Sequence, residues 1–356
     1  MINKDQFFYL YTAIYLGMFY VSILYSIAYD LTGVKFKQKN IENYIAILLV
    51  LSIAFIVGLR DISVGTDTNN YYRFWWLSSA NISDKKDFLM YLWMSTIRYF
   101  TGNYQYFLLL NSLLLSFLFF LSAIKISRST RTNIIFIIFS YYSMFFMKSI
   151  EINIVRQGLA IVSLLLSYQY LISKKKKAAI FYTIASLFFH YTSIVPIILF
   201  CFIRSIKKLN INFFIFIYLS FLSLSFIGVG LKDFVPFLSY FLEGDRRISY
   251  LYSESTKYRI GFRADFALFN TFFLFIFLFI NKKTKDDQYK DLLIYYILSS
   301  CVFFLSFQIP YSDRIGLFSW FTIPILFSPL LSSFNRKHKS IAVMTLFSIF
   351  IFFQLY

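Results

Sequence analysis

What most limits this chain is the spacing of its charges. Uncharged or nearly uncharged runs occupy 7 to 29, 43 to 59, 104 to 124, 132 to 147, 157 to 173, 178 to 203, 209 to 231, 266 to 281, 292 to 312, 315 to 335 and 340 to 356. A bilayer core requires about 20 apolar residues per helix, and most of these runs fall near that length. Lipid offers no partner for backbone amides, so runs this long and continuous cross as helices. Only 15% of the 356 residues are charged and 59% are hydrophobic, whereas a soluble domain has roughly a quarter of its residues charged. The expected fold is an all-α polytopic membrane protein forming a single integral membrane domain over 1–356, with no separate soluble domain. The first run has no A-x-A-like cleavage site and reads as a retained helix.

Charge sets the expected topology. If 178 to 203 crossed once, Lys174 to Lys177 and the basic stretch 204 to 208 would face opposite sides, against the positive-inside rule. Two short helices turning near His190, Tyr191 and Thr192 remove the conflict. The eleven runs then give about twelve spans, or eleven if 178 to 203 crosses once. Under this scheme the cytoplasmic connections hold 20 of the 35 Lys and Arg but 5 of the 17 Asp and Glu, a net of +15. The outer side keeps 15 basic and 12 acidic residues, a net of +3. Two outer segments, 60 to 103 and 232 to 265, are long enough for structure of their own. The first holds an uncharged stretch, 88 to 97, too short to span and suited to the interface, together with Trp75, Trp76 and Trp93. These tryptophans fit an interfacial belt or a platform for sugar rings.

Several classes are disfavoured. Cys201 and Cys301 lie in apolar runs, far from a second Cys or a suitably spaced His, so they read as packing residues. His190 and His338 are too isolated to suggest a metal centre, and no cofactor is implied. The net charge of +18 has no basic domain or aromatic RNA-binding motif to carry it towards nucleic acid.

The outer basic residues differ in kind from the cytoplasmic ones. Nine of them are arginines: Arg60, Arg73, Arg98, Arg156, Arg246, Arg247, Arg259, Arg263 and Arg314. Lysines orient loops, but a planar guanidinium that is always charged suits phosphate, and Arg at membrane level is costly enough to need a function. A cationic pocket for a lipid-diphosphate substrate follows. Gly65 permits a tight turn after Arg60 and Asp61, and Thr66 or Asp67 can cap the helix that follows. Gly158 and Ala160 beside Arg156 and Gln157 leave room for a close neighbour. Arg246 and Arg247, next to Glu243 and Asp245, fit exposed ion pairs. Arg259, Arg263 and Asp265 lead into an apolar run, and Asp313 could orient Arg314.

The stretch from Arg60 to Tyr71, then Val155-Arg156-Gln157-Gly158-Leu159-Ala160, then Phe188-Phe189-His190-Tyr191-Thr192-Ser193 resemble in order and spacing three hallmarks of the EpsG family of Wzy-type polysaccharide polymerases. Tyr258 to Phe266 and Ser312-Asp313-Arg314-Ile315-Gly316 look like its two later motifs. Together they cover roughly 40 to 330. Where the family often has Glu-Pro-like residues before the short outer helix, this chain has Lys86-Asp87-Phe88, which leaves open whether Asp87 takes the acid's role.

The resemblance implies a GT-C-like glycosyltransferase in the bacterial cytoplasmic membrane. It would polymerise undecaprenyl-diphosphate-linked oligosaccharide units at the outer face, with lipid-linked donor and acceptor as substrates, and would work with a chain-length regulator. Arg60, Arg156, Gln157, Arg259, Arg263, Asp265, Arg314 and Tyr71 would bind diphosphate or glycan. His190 or Asp67 would take the acceptor proton. A carboxylate near several Arg is the poorer base, which favours His190 and leaves Asp67 to orient Arg60 or the sugar. No metal is required. An O-antigen-ligase-like transferase remains an alternative, although such enzymes keep their catalytic residues in one late outer loop. A flippase or transporter would place ionisable residues nearer the midplane of several spans.

Overall fold

The computed structural model describes residues 1–31, 39–77, 87–206, 210–234, 259–333 and 336–355. Lys86, Tyr258, Arg246, Arg247, Glu243 and Asp245 fall outside the described residues. The architecture is all-helical. Among the described residues the single β-type contact is an isolated bridge between Ile2 and Arg60.

Sixteen α-helices are described: α1 (Lys4–Leu31), α2 (Lys39–Gly58), α3 (Thr68–Tyr71), α4 (Phe88–Phe100), α5 (Tyr104–Thr130), α6 (Ile134–Tyr142), α7 (Phe145–Ile152), α8 (Val155–Ile172), α9 (Lys176–Phe189), α10 (Ile194–Ser205), α11 (Ile211–Phe226), α12 (Ala264–Thr284), α13 (Asp287–Leu305), α14 (Ser312–Trp320), α15 (Ile323–Leu331) and α16 (Arg336–Leu355). They form two compact units, residues 1–194 with 328–356, and residues 195–327.

The helices bear apolar residues all round. On α12, Leu268, Phe272, Phe275 and Phe279 are exposed at helical spacing while Phe266, Phe273, Leu274 and Phe277 are buried on the other face. An exposed stripe of this kind is a liability in water and natural against lipid. The protein is a multi-pass membrane protein.

The span count differs from the twelve expected. Among the described residues, seven helical segments are long and apolar enough to cross, or eight if α6 and α7, bent by 79°, make one broken span. The run 178 to 203 does divide into two short helices, with His190 extended between them (φ −156°, ψ 116°). Neither α9 nor α10 reaches spanning length, and α11, at 16 residues, is also short. Counting uncharged residues overestimates spans because it misses the breaks that end a helix inside an apolar run. The bend between α6 and α7 has such a cause. The chain is extended at Met144 (φ −86°, ψ 133°), which separates α6 from α7.

In the first unit, α2, α5, α8 and α9 pack side by side. Ser112 of α5 donates to the Ala54 carbonyl of α2 at 2.8 Å, and Ser167 of α8 to the Ala179 carbonyl of α9 at 2.9 Å. A Cβ at Gly58 would lie 2.8 Å from the Leu109 Cα, so only Gly allows α2 and α5 to approach this closely. α1 joins through Tyr15, which stacks on Phe350 of α16 and Phe139 of α6. In the second unit, Asn270 of α12 ties three helices together. Its side chain donates to Ser300 of α13 and accepts from Trp320 of α14, so this buried amide is satisfied. Cys301 is buried as expected, whereas Cys201 lies on an exposed face of α10.

Candidate active site

The first unit brings helix ends together: the C-terminal ends of α2 and α9, and the N-terminal ends of α4 and α8. The joint begins at Gly65, whose φ of +90° is left-handed and favours Gly. A Cβ there would also meet the Asn153 side chain at 2.8 Å and the Ile152 carbonyl at 2.9 Å. The turn is pinned by two hydroxyls that follow it. Thr66 donates to the Asn153 side chain at 3.3 Å, and Thr68 to the Ile152 carbonyl at 3.0 Å. These bonds cap the break between α7 and α8, which fixes where Arg156, in the first turn of α8, begins its reach.

Asp87 is the centre of the arrangement. It occupies the N-cap position of α4, but its side chain caps none of that helix's amides. Its carboxylate instead accepts from the Tyr191 N–H at 3.0 Å, meets His190 Nδ1 at 3.3 Å with both oxygens, and forms an ion pair with Arg156 Nη1. These partners lie 104, 103 and 69 residues away in sequence. Burial of Asp87, which is 6% exposed, works against its ionisation. The His190 hydrogen bond and charge, the Arg156 charge and the Tyr191 N–H outweigh it and hold the carboxyl well below the usual carboxylate range.

Arg156 is held on three sides. Its Nε donates to the Tyr71 hydroxyl at 3.4 Å, its guanidinium lies 4.2 Å from the Trp75 ring centroid, and Asp87 takes Nη1. Trp75 is stacked on Tyr91 at 3.9 Å with 5° between the planes. With a guanidinium and a tyrosine against it, Trp75 serves as a floor for Arg156 and keeps little face for a sugar. Trp76 is buried against Tyr104 and Phe107, so it belongs to the core.

An EpsG family model matches residues 43–356. The chain belongs to the EpsG family. No curated protein and no solved structure gives a significant match. Membership indicates a membrane protein of the polysaccharide-polymerase type.

In this EpsG family member, Tyr71, Arg156 and His190 meet, and Asp87 completes the group. Gln157 is buried beside Arg156 in α8. Asp67 lies half-buried at the N-cap position of α3, without a side-chain capping bond. The carboxylate found against His190 is that of Asp87.

Arg60 is only 2% exposed and faces inward. It donates to the Val57 carbonyl and lies near Tyr104, Glu151 and Tyr71. Burial pushes its pKa down to about 10, so it remains a cation at neutral pH. Glu151, close to Arg156 in sequence, is separated from it by the break at Asn153 and accepts instead from Tyr11 and Tyr142, at 3.0 and 2.9 Å.

The other sequence-derived residues lie in the second unit. Arg263 forms a two-point ion pair with Asp265, at 3.0 and 2.6 Å, and sits 4.1 Å over Phe266. Arg314 lies 4.5 Å over the Tyr311 ring, and its charge and that of Arg263 both act on Asp313. Arg259 is exposed.

Asp87 is the residue that sequence reading passed over as a site residue. It was the unmatched acid before the short outer helix. Whether it takes the role of that acid was left open, because nothing local in the sequence pairs it with Arg156 or His190.

Proposed function

We propose that this protein polymerises undecaprenyl-diphosphate-linked oligosaccharide units at the outer face of the bacterial cytoplasmic membrane, by glycosyl transfer within a GT-C-like architecture. The observation that carries the reading is one buried carboxylate joining an arginine and a histidine drawn from separate family-like motifs. Their side chains are 15% exposed, so charges in this group are little screened and remain reachable.

The roles follow from the geometry. His190 Nδ1 faces the Asp87 carboxylate, which favours the tautomer with its proton on Nδ1 and leaves the Nε2 lone pair to accept. The acceptor hydroxyl gives its proton to Nε2 as its oxygen bonds to the donor's anomeric carbon. The bond from that carbon to the diphosphate oxygen breaks, and the leaving diphosphate keeps the electron pair. Arg156 stabilises that charge, oriented by Trp75 and Tyr71. Arg259, Arg263 and Arg314 are further cationic contacts for diphosphate or glycan. This chemistry needs no metal.

Membranes or proteoliposomes given one purified lipid-linked repeat unit test the reading. A ladder of products is expected, unaffected by EDTA. One transferred block would indicate a ligase, and movement across the bilayer without bond formation a flippase. Loss of the ladder in EDTA, restored by a divalent ion, would overturn the metal-free step.

A further inference from the structure

The Arg156 guanidinium is already engaged by a carboxylate. A carboxylate and a phosphate present paired oxygens to a guanidinium in much the same way, and each can take two of its N–H groups. Tyr71 holds Nε and Trp75 covers the guanidinium, which leaves the side facing Asp87 as the place where an anion is held. Resting the cation against Asp87 also solves a physical problem, because a buried guanidinium without a counter-charge is strongly unfavourable. Asp87 has two other partners, the Tyr191 N–H and His190 Nδ1, so it can give up Arg156 and stay fixed.

We infer that Asp87 is a positioning residue with two settings: without substrate its carboxylate occupies the diphosphate subsite on Arg156, and the donor's diphosphate displaces it, leaving the carboxylate to His190 and the Tyr191 N–H. This rests on the proposed glycosyl-transfer reading and adds to it an order of events. The donor's diphosphate must compete with a group of the protein itself. Once it has done so, the negative charge previously neutralised by Arg156 acts on the imidazole. Base activation is thereby coupled to donor occupancy.

The inference makes an unusual demand of one variant. Replacing a residue that merely supports the site should weaken substrate binding. Replacing a competitor should strengthen binding and still slow the reaction, because the imidazole loses its orienting charge.

The test uses the full chain in lipid nanodiscs, with undecaprenyl diphosphate as the probe and tryptophan fluorescence as the readout, since Trp75 lies against Arg156. Wild type, Asp87→Asn and Arg156→Gln are titrated, and donor KM and kcat are measured on purified lipid-linked repeat units. Asp87→Asn is expected to bind the probe about tenfold more tightly, with donor KM lowered and kcat reduced about tenfold or more. Arg156→Gln is expected to bind it more weakly. Asp87→Ser, measured in the same way, replaces the Asn variant if that one does not fold.

Unchanged or weaker probe binding by the Asp87 variants, with Arg156→Gln still impaired, overturns the exchange and leaves the diphosphate role of Arg156 intact. Wild-type binding by Arg156→Gln removes the subsite itself, and the glycosyl-transfer assignment of Arg156 with it.

Discussion

The two units treat their charges in opposite ways. In the first, Asp87 is buried and shared by Arg156, His190 and a backbone amide that lie 69, 103 and 104 residues away in sequence. In the second, Arg263 pairs with Asp265, two residues along the chain, and the Asp265 side chain is 49% exposed. A local, wet ion pair can form on almost any helix start and contributes about 0–1 kcal/mol. A dry carboxylate with three distant partners requires the whole unit to be folded correctly, and removing one partner leaves the others uncompensated. On the proposed reading, the chemistry belongs to the first unit and the arginines of the second have a supporting role.

The largest effect expected is at His190. His190→Gln should lower polymerisation by roughly 10²–10⁴-fold, the usual worth of a positioned general base. The rate profile should also lose its acid limb. Asp87 cannot supply that limb: its folded pKa is depressed, so its charge is present at neutral pH and is lost only as pH falls through that depressed value. Measuring rate against pH for wild type and variant separates the two groups. A Gln variant with an unchanged profile would take the imidazole out of the mechanism.

Arg156 comes next. Arg156→Ala should reduce turnover by roughly ten- to a hundredfold, since a charge-assisted hydrogen bond contributes about 1.5–3 kcal/mol. Arg156→Lys should recover little, because a point charge cannot keep both the Tyr71 bond and the Asp87 contact while covering Trp75. Near-normal product ladders from the Lys variant at matched expression would make the guanidinium geometry irrelevant.

Why one region was legible in the sequence and the other only partly so follows from the same contrast. The apolar runs gave the helices, because runs of that length have one solution in lipid. Gly65, Thr66 and Arg156 were visible as local signals. The short helices around His190 were inferred from lysine placement, and the structure places His190 between two of them. The span count was not legible, since single extended residues such as Met144 and His190 end helices without altering hydropathy. Asp87 was the harder loss. Nothing near Lys86-Asp87-Phe88 shows that the carboxylate will turn from its own helix to partners in α8 and the segment after α9. Arg60 read as a membrane-end arginine suited to phosphate, and the structure buries it near Glu151.

The smallest effect expected is in the second unit. Arg263→Ala should lower turnover less than about tenfold, because the pair it breaks is exposed and local. Polymerisation assays beside Arg156→Ala, at equal membrane levels, measure the difference. A larger loss from Arg263 than from Arg156 would reverse the comparison.

The most direct test of the account is a double-mutant cycle between Asp87 and His190, read as turnover of purified lipid-linked repeat units. If the two act as one group, Asp87→Asn should cost about tenfold or more in the wild-type background and less than about twofold once His190→Gln is present. Losses that simply multiply would show that the carboxylate and the imidazole work independently, and would contradict the claim that Asp87 organises this site.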